Sequence, residues 1–492
     1  MIQKIKSSFS GNTLQAKISK GIAWSFLGTV ISKGMLLLSF ILIARILTVE
    51  EYGQVSILRN FIVTFSMFSV ASFGITATKY ITTYKDEDIE KTSKILTLTR
   101  LFVLISSLVI SIGILIFSEY IAINFLHDIS LIPEVQISAI TIFFTALNGY
   151  QNGALAGFEN FKGISIVNTV NGLLTLPTVF FGAYYWGVHG VVTGLAIIAF
   201  MTWTSSFFYL HKSTNKYGIH TVLKDLKSEF IILYEFSLPS FLSGMIVAPV
   251  TLTVNSLLTS QSDGYFQLGI FTAALNFSLI ALTLTQIIGQ VLFPYAMKHF
   301  DSGNRKFEFV NILLPWFISI FINLPILIFP EITAYIYGDR YHIEEYYLSV
   351  VIITLYSIIM AYKQGIARNF AAANLMWWSM FGNGLWGFIA LFSALFLVSY
   401  GSVGIAIAFL IAHVLSNVAL IPLYINKKLI SKELIFSKES LILWMIIIGA
   451  SPTYFLTLNL FIKTGLLILL YFIIVLIVQI AWKKNSGEIN EV

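Results

Sequence analysis

The sequence predicts an all-α polytopic membrane protein of about 14 transmembrane helices, built as two pseudo-symmetric six-helix bundles plus two C-terminal helices. Three observations predict it: the composition, the recurrence of span-length apolar segments, and an internal repeat. Of 492 residues, 57% are hydrophobic and only 11% charged, whereas soluble domains carry about 25% charged residues. A soluble chain this apolar could not cover its surface with polar groups, and lipid as solvent removes the contradiction.

Apolar segments long enough to cross a bilayer fall near 21–47, 54–78, 95–118, 134–157, 164–185, 188–210, 231–258, 266–293, 309–330, 347–369, 377–398, 402–425, 440–461 and 464–482. A span needs about 20 residues. The first follows Lys4, Lys6, Lys17 and Lys20. It is too long for a signal-peptide core and has no clear cleavage site, so it reads as a spanning helix. An even number of spans places both termini on one side.

Charge placement orients the chain. Alternate connections, with both termini and the flanking residues Arg100, Lys162, Lys363 and Arg368, hold about 25 of the 30 basic residues. The opposite connections, 119–135, 259–265 and 331–346, hold only Arg340. By the positive-inside rule the basic side is cytoplasmic. The expected organisation is a cytoplasmic segment 1–20, an N-terminal six-helix bundle 21–210, and a cytoplasmic linker 211–230. A C-terminal six-helix bundle 231–425 follows, then a linker 426–439, two extra helices 440–482 and a cytoplasmic tail 483–492. The expected location is a bacterial cytoplasmic membrane.

The chain also repeats itself at an offset of about 213 residues. Tyr52-Gly53-Gln54 reads against Tyr265-Phe266-Gln267, and Tyr150-Gln151-Asn152-Gly153 against Tyr362-Lys363-Gln364-Gly365. Asn171-Gly172-Leu173 reads against Asn383-Gly384-Leu385, and Gly187 and Gly190 against Gly401 and Gly404. The offset spans six helices, an even number, so the two halves share one orientation and are related by an axis along the membrane normal. Two facing bundles of this kind suit alternating access.

Ala44-Arg45-Ile46-Leu47-Thr48-Val49-Glu50-Glu51-Tyr52-Gly53 resembles the signature after the first helix of oligosaccharide flippases. Those proteins are the polysaccharide-export branch of the multidrug/oligosaccharidyl-lipid/polysaccharide exporter superfamily. Gly149 to Gly157 with Phe158-Glu159-Asn160-Phe161, Leu238-Pro239, and Leu292-Phe293-Pro294 are similar to further segments of that family. The resemblance covers about residues 20–425. It implies a flippase that carries an undecaprenyl-pyrophosphate-linked oligosaccharide to the outer leaflet, working beside membrane lipids and the polymerase and glycosyltransferases of one pathway.

An anionic pyrophosphate needs cations along its route, and ionisable residues inside spans are candidates by default. Lys33 lies mid-helix beside a small-residue stripe of Ser25, Gly28, Ser32 and Ser39. Arg59 shares a helix face with Ser56, Asn60 and Ser66. Arg45, Lys363 and Arg368 complete the cationic set, with snorkelling or positive-inside anchoring the competing role for Arg45 and Arg368. Glu235 is the acid expected to pair across the bundles or bind a coupling ion. Pro239 and Pro249 are candidate hinges, since proline removes a ladder bond.

Other chemistries find little support. There is no cysteine, which excludes disulfides, Cys-ligated metals and thiol nucleophiles. No Walker A or His-Glu-x-x-His pattern occurs, and neither cofactor nor metal is expected. The basic balance belongs to membrane topology, so no nucleic-acid partner is expected. Two alternatives remain: an ion-coupled multidrug antiporter of the same superfamily, disfavoured by the lack of acids in the first two helices, and a polytopic glycosyltransferase or polysaccharide polymerase. For the latter, the outer loops of about 16 residues are short.

Overall fold

The computed structural model describes residues 14–70, 73–230, 237, 241–242, 245–299, 308–373, 375–456 and 458–486. Glu235 and Pro239 lie outside them. The described residues are helical almost throughout. Among them, nine helical stretches are long and apolar enough to cross a membrane, or up to eleven if each of two bent pairs counts as one span. The chain divides into two compact units, Met1–Ser260 and Gln261–Val492.

In the first unit, α1 (Leu14–Ile46) is followed by α2 (Val49–Val70) and α3 (Phe73–Tyr84). A reciprocal capping box starts α2. The Thr48 N–H donates to Glu51 Oε2 at 2.8 Å, and the Glu51 N–H to Thr48 Oγ1 at 3.1 Å. Each closes a donor that a helix start leaves open. The axes of α2 and α3 differ by 43°. Next come α4 (Ile89–Ile116) and α5 (Ile132–Gly157). The stretch Phe161–Tyr217 contains two helices, α6 (161–185) and α7 (188–217), broken at Trp186 and Gly187. α8 (Val247–Thr259) completes the unit.

α6 and α7 form a hairpin. Asn171 Nδ2 donates to Thr202 Oγ1 at 2.8 Å, and a Cβ on either Gly182 or Gly190 would overlap the other's carbonyl. The turn rests on Gly187, with φ +56° and ψ −136°, a region open to glycine and strained for other residues. In the second unit the turn at Gly401 has φ +62° and ψ −140°. The paired glycines of the sequence repeat therefore adopt one backbone conformation at matching hairpin turns.

Small residues also set the packing of α1. A Cβ on Gly172 would lie 2.6 Å from Ser32 Cα, and one on Gly28 2.7 Å from Ser165 Oγ. Backbones this close require small side chains. Lys33, about 100° around the helix from Ser32, stands on the exposed side of α1.

The second unit comprises α9 (Gly264–His299), α10 (Leu314–Ile328), α11 (Glu331–Tyr337), α12 (Glu344–Ala372), α13 (Met376–Leu397), α14 (Gly401–Asn426), α15 (Lys438–Ala450) and α16 (Leu460–Ser486). The last two belong to its core. Trp444 of α15 packs on Trp316 of α10, ring centroids 4.8 Å apart. Tyr471 of α16 donates to the Phe321 carbonyl at 2.9 Å, and Lys463 pairs with Glu331 at 3.1 Å.

Candidate functional site

The first unit holds a cavity of about 540 Å³ whose walls follow helical periodicity. α2 contributes Val63, Ser66, Met67 and Val70 from one face, with Thr64 and Phe68 at its edges. α5 contributes Thr145, Gly149 and Gly153, four residues apart. Phe241, Met245 and Pro249 supply a third wall at the same spacing, and Gly74, Ile75 and Thr78 of α3 a fourth. None of these lining residues is charged. The glycines let α3 approach α5, since a Cβ on Gly153 would overlap the Gly74 carbonyl. Thr78 Oγ1 donates to the Gly153 carbonyl at 2.7 Å, and Thr82 Oγ1 to the Gly157 carbonyl at 3.2 Å. Buried Lys85 ends this seam, donating to the same Gly157 carbonyl at 3.2 Å and pairing with Glu159 at 2.7 Å. The conspicuous glycine segment of the sequence is thus a helix-packing stripe.

Arg59 lies one turn before Val63, on the face of α2 that becomes the cavity wall. Its guanidinium sits over the Phe40 ring of α1, 4.2 Å from the centroid. Phe40 in turn lies two turns beyond Lys33 on α1, about 10 Å along the axis. Arg45 is exposed in the last turn of α1, where a cation complements the helix dipole. Glu51, in the first turn of α2, is engaged as the α2 cap. Pro249 is the third residue of α8. The N–H groups of a first turn have no intrahelical partner, so this proline starts a helix and costs no ladder bond.

In the second unit, Lys363 and Arg368 share α12 but have different surroundings. Lys363 is half-buried. Arg368 is buried and committed: Nε donates to Asn311 Oδ1 at 2.7 Å and Nη2 to the Asn311 carbonyl at 2.5 Å. Asn311 Nδ2 donates to Asn369 Oδ1 at 2.8 Å, and Asn369 Nδ2 to the Leu429 carbonyl at 2.6 Å. Arg368 and Asn369 thus tie α12 to Asn311, just before α10, and to the connection after α14. Asn311→Leu strands the Nε donor and should cost about 2–4 kcal/mol, since a buried charge loses a partner. Thermal unfolding of the purified protein should show the loss. Arg368→Leu added to Asn311→Leu should recover part of it.

The sequence reading missed a buried acid. Glu134, in the first turn of α5, is 7% exposed. Its Oε1 lies 3.0 Å from His189 Nδ1 across the hairpin turn, while Oε2 is buried without a hydrogen-bond partner among the described residues. No local pattern in the sequence singles out Glu134, because its partner lies 55 residues away.

A family model described as Polysaccharide biosynthesis protein matches residues 18–300, more than half of the chain. The chain belongs to that family. Solved structures agree in fold. The lipid II flippase MurJ in an inward closed conformation superposes with a TM-score of 0.68 at 17% identity, covering 92% of this chain and 98% of that one. An inward-facing multidrug resistance MATE family transporter of the MOP superfamily gives 0.62 at 14% identity, over 86% and 96%. A MOP superfamily transporter from Pyrococcus furiosus, whose reverse polarity of binding pocket suggests a different function, gives 0.61 at 14%, over 88% and 96%. No curated protein matches at the level of sequence. This member of the polysaccharide biosynthesis family is therefore a multi-pass membrane protein whose fold is shared with solved transporters of the MOP superfamily.

Proposed function

We propose that the protein is a flippase that moves a polyprenyl-pyrophosphate-linked oligosaccharide across a bacterial cytoplasmic membrane by alternating access, with both termini in the cytoplasm. The carrying observation is Arg59, a cation on the helix face that lines an uncharged cavity. A cation at the centre of a span costs about 2.5–3.5 kcal/mol on insertion scales, and one placed there is a functional candidate. A pyrophosphate supplies the opposite charge. The sugar hydroxyls need a hydrated or hydrogen-bonding path, because stripping their water in hydrocarbon is costly. Family membership over residues 18–300 supports the same cargo class. Lys33, Arg45 and Lys363 are further candidate contacts for the head group. Glu134 with His189 joins Glu235 as a candidate coupling group, and Pro239 remains a candidate hinge.

The multidrug antiporter is the second reading, favoured only by the buried Glu134 beside His189. Cationic drugs would call for an acid on the cavity wall, and the lining has none. Removing the gene from its host distinguishes the two. The flippase reading expects surface glycan to fall to background while lipid-linked oligosaccharide accumulates in the cytoplasmic leaflet. Unchanged surface glycan with a normal lipid-linked pool would overturn it.

A further inference from the structure

We propose that the coupling ion is a proton and that it binds at His189 and Glu134, at the outer face of the first unit; this rests on the flippase reading. Glu134 stands in the first turn of α5 and His189 is the second residue of α7. With both termini cytoplasmic, these ends face outward. The two side chains meet at 3.0 Å, Nδ1 to Oε1, but in unequal surroundings. The Glu134 side chain is 9% exposed and that of His189 53%. The carboxylate is shielded and half-satisfied, since Oε2 has no hydrogen-bond partner among the described residues, while the imidazole is open to the outside. A buried carboxylate is costly unless paired, and histidine is the side chain that ordinarily gains its charge between about pH 8 and 5. With the Nδ1 proton donated to Oε1, an incoming proton adds at Nε2 and turns a neutral contact into an ion pair. That proton is held more tightly while the side chains meet than after they part. Proton binding and closure of the α6–α7 hairpin on α5 are thereby linked.

A metal cation fits poorly, because hard cations take several oxygen ligands and here one carboxylate oxygen is engaged with a ring nitrogen. The other charged groups at this end have their own places. Glu51 caps α2 and approaches the Gly187 turn, its Oε1 3.5 Å from where a Cβ would stand. Asp128 is bonded to Gln54 and Ser130, and Arg45, Glu50, Glu119 and His127 are exposed. The second unit shows the same position without a histidine. There Glu345, in the first turn of α12, accepts from Gln267 Nε2 at 3.1 Å, and Gln267 Oε1 accepts from the Ser402 N–H beside the matching turn at 2.8 Å. Gln54, the repeat counterpart of Gln267, is turned to Asp128 Oδ2 instead. One hairpin is thus clamped by an amide, which does not titrate, and the other by a histidine, which does. α5 carries the effect inward. It runs from Glu134 to Gly149 on the cavity wall, about 22 Å along its axis, so a hairpin released at one end frees the helix that forms the wall at the other.

Flipping of a fluorescent prenyl-pyrophosphate oligosaccharide by the full-length protein in proteoliposomes tests this. The wild-type rate should change by up to about tenfold when the outer pH is lowered by about one unit, as coupling to one proton requires, and should not follow a sodium gradient. His189→Gln keeps an N–H donor for Glu134, as Gln267 provides in the second unit, and should give a normal size-exclusion peak while its rate no longer responds to outer pH. Glu134→Gln should lose the response as well. A merely structural contact would instead lower the rate by the same factor at every pH. Histidine NMR of the purified protein supplies a second readout: the His189 ring signal, assigned by its absence from His189→Gln, should titrate at lower pH in Glu134→Gln than in wild type. A pH response that persists in His189→Gln, a wild-type rate indifferent to the proton gradient, or a His189 titration unmoved by Glu134→Gln overturns the proton site and leaves the flippase reading intact. No flipping under any gradient overturns both.

Discussion

Gly153→Leu should eliminate the folded protein. A Cβ at that position would overlap the Gly74 carbonyl where α3 crosses α5, and the obstacle is backbone that no rotamer change can move. The Gly153 carbonyl also accepts the Thr78 Oγ1 bond at 2.7 Å, which is lost when the helices separate. Overpacking a tight core costs about 1–3 kcal/mol and sometimes more. Here whole-helix displacement adds loss of the Thr82 and Lys85 bonds to the Gly157 carbonyl. Gly113→Leu is the matched control, since a Cβ on Gly113 of α4 meets nothing within 4 Å. Size-exclusion profiles of detergent extracts should show a normal folded peak for the control and none for Gly153→Leu. Equal peaks would mean that the glycine stripe is not what holds α3 to α5.

Arg59→Ala should take surface glycan to background without lowering protein abundance, and Lys33→Ala should act in the same direction. Arg59 sits over Phe40 and beside the cavity wall, and its removal should leave the apolar packing of α2 in place. Arg59→Lys keeps the charge but not the planar fork that grips phosphate oxygens in pairs, so export should be reduced rather than lost. Immunoblots of surface glycan, normalised to protein in the membrane, check both. Normal glycan in the double alanine variant would remove the cationic role and leave the fold untouched.

The apolar spans and the hairpin glycines were legible because they follow from local rules: apolar length and the positive φ that glycine tolerates. Gly187 and Gly401 could be matched from the repeat alone, and their shared backbone angles follow. The segment Gly149–Gly157 was legible as a resemblance, although its spacing of glycines every four residues already describes a packing stripe. What was not legible depends on partners remote in sequence. Lys363 and Arg368 stand five residues apart on one helix, and only Asn311, 57 residues from Arg368, separates an arginine spent on structure from a lysine that is not. Glu134 became a buried acid only through the hairpin that brings His189 to it. Pro249 looked like an interruption because the sequence does not reveal that a helix begins at Val247.

The central claim, transbilayer movement of a pyrophosphate-linked sugar, is tested most directly in proteoliposomes holding the purified protein and a fluorescent prenyl-pyrophosphate oligosaccharide in both leaflets. A membrane-impermeant glycosidase added outside reads how much cargo becomes accessible, with proton and sodium gradients imposed separately. The account predicts that the inner-leaflet fraction becomes cleavable with the wild-type protein and stays protected with Arg59→Ala. An inner-leaflet fraction that stays protected with wild type under every gradient would contradict it.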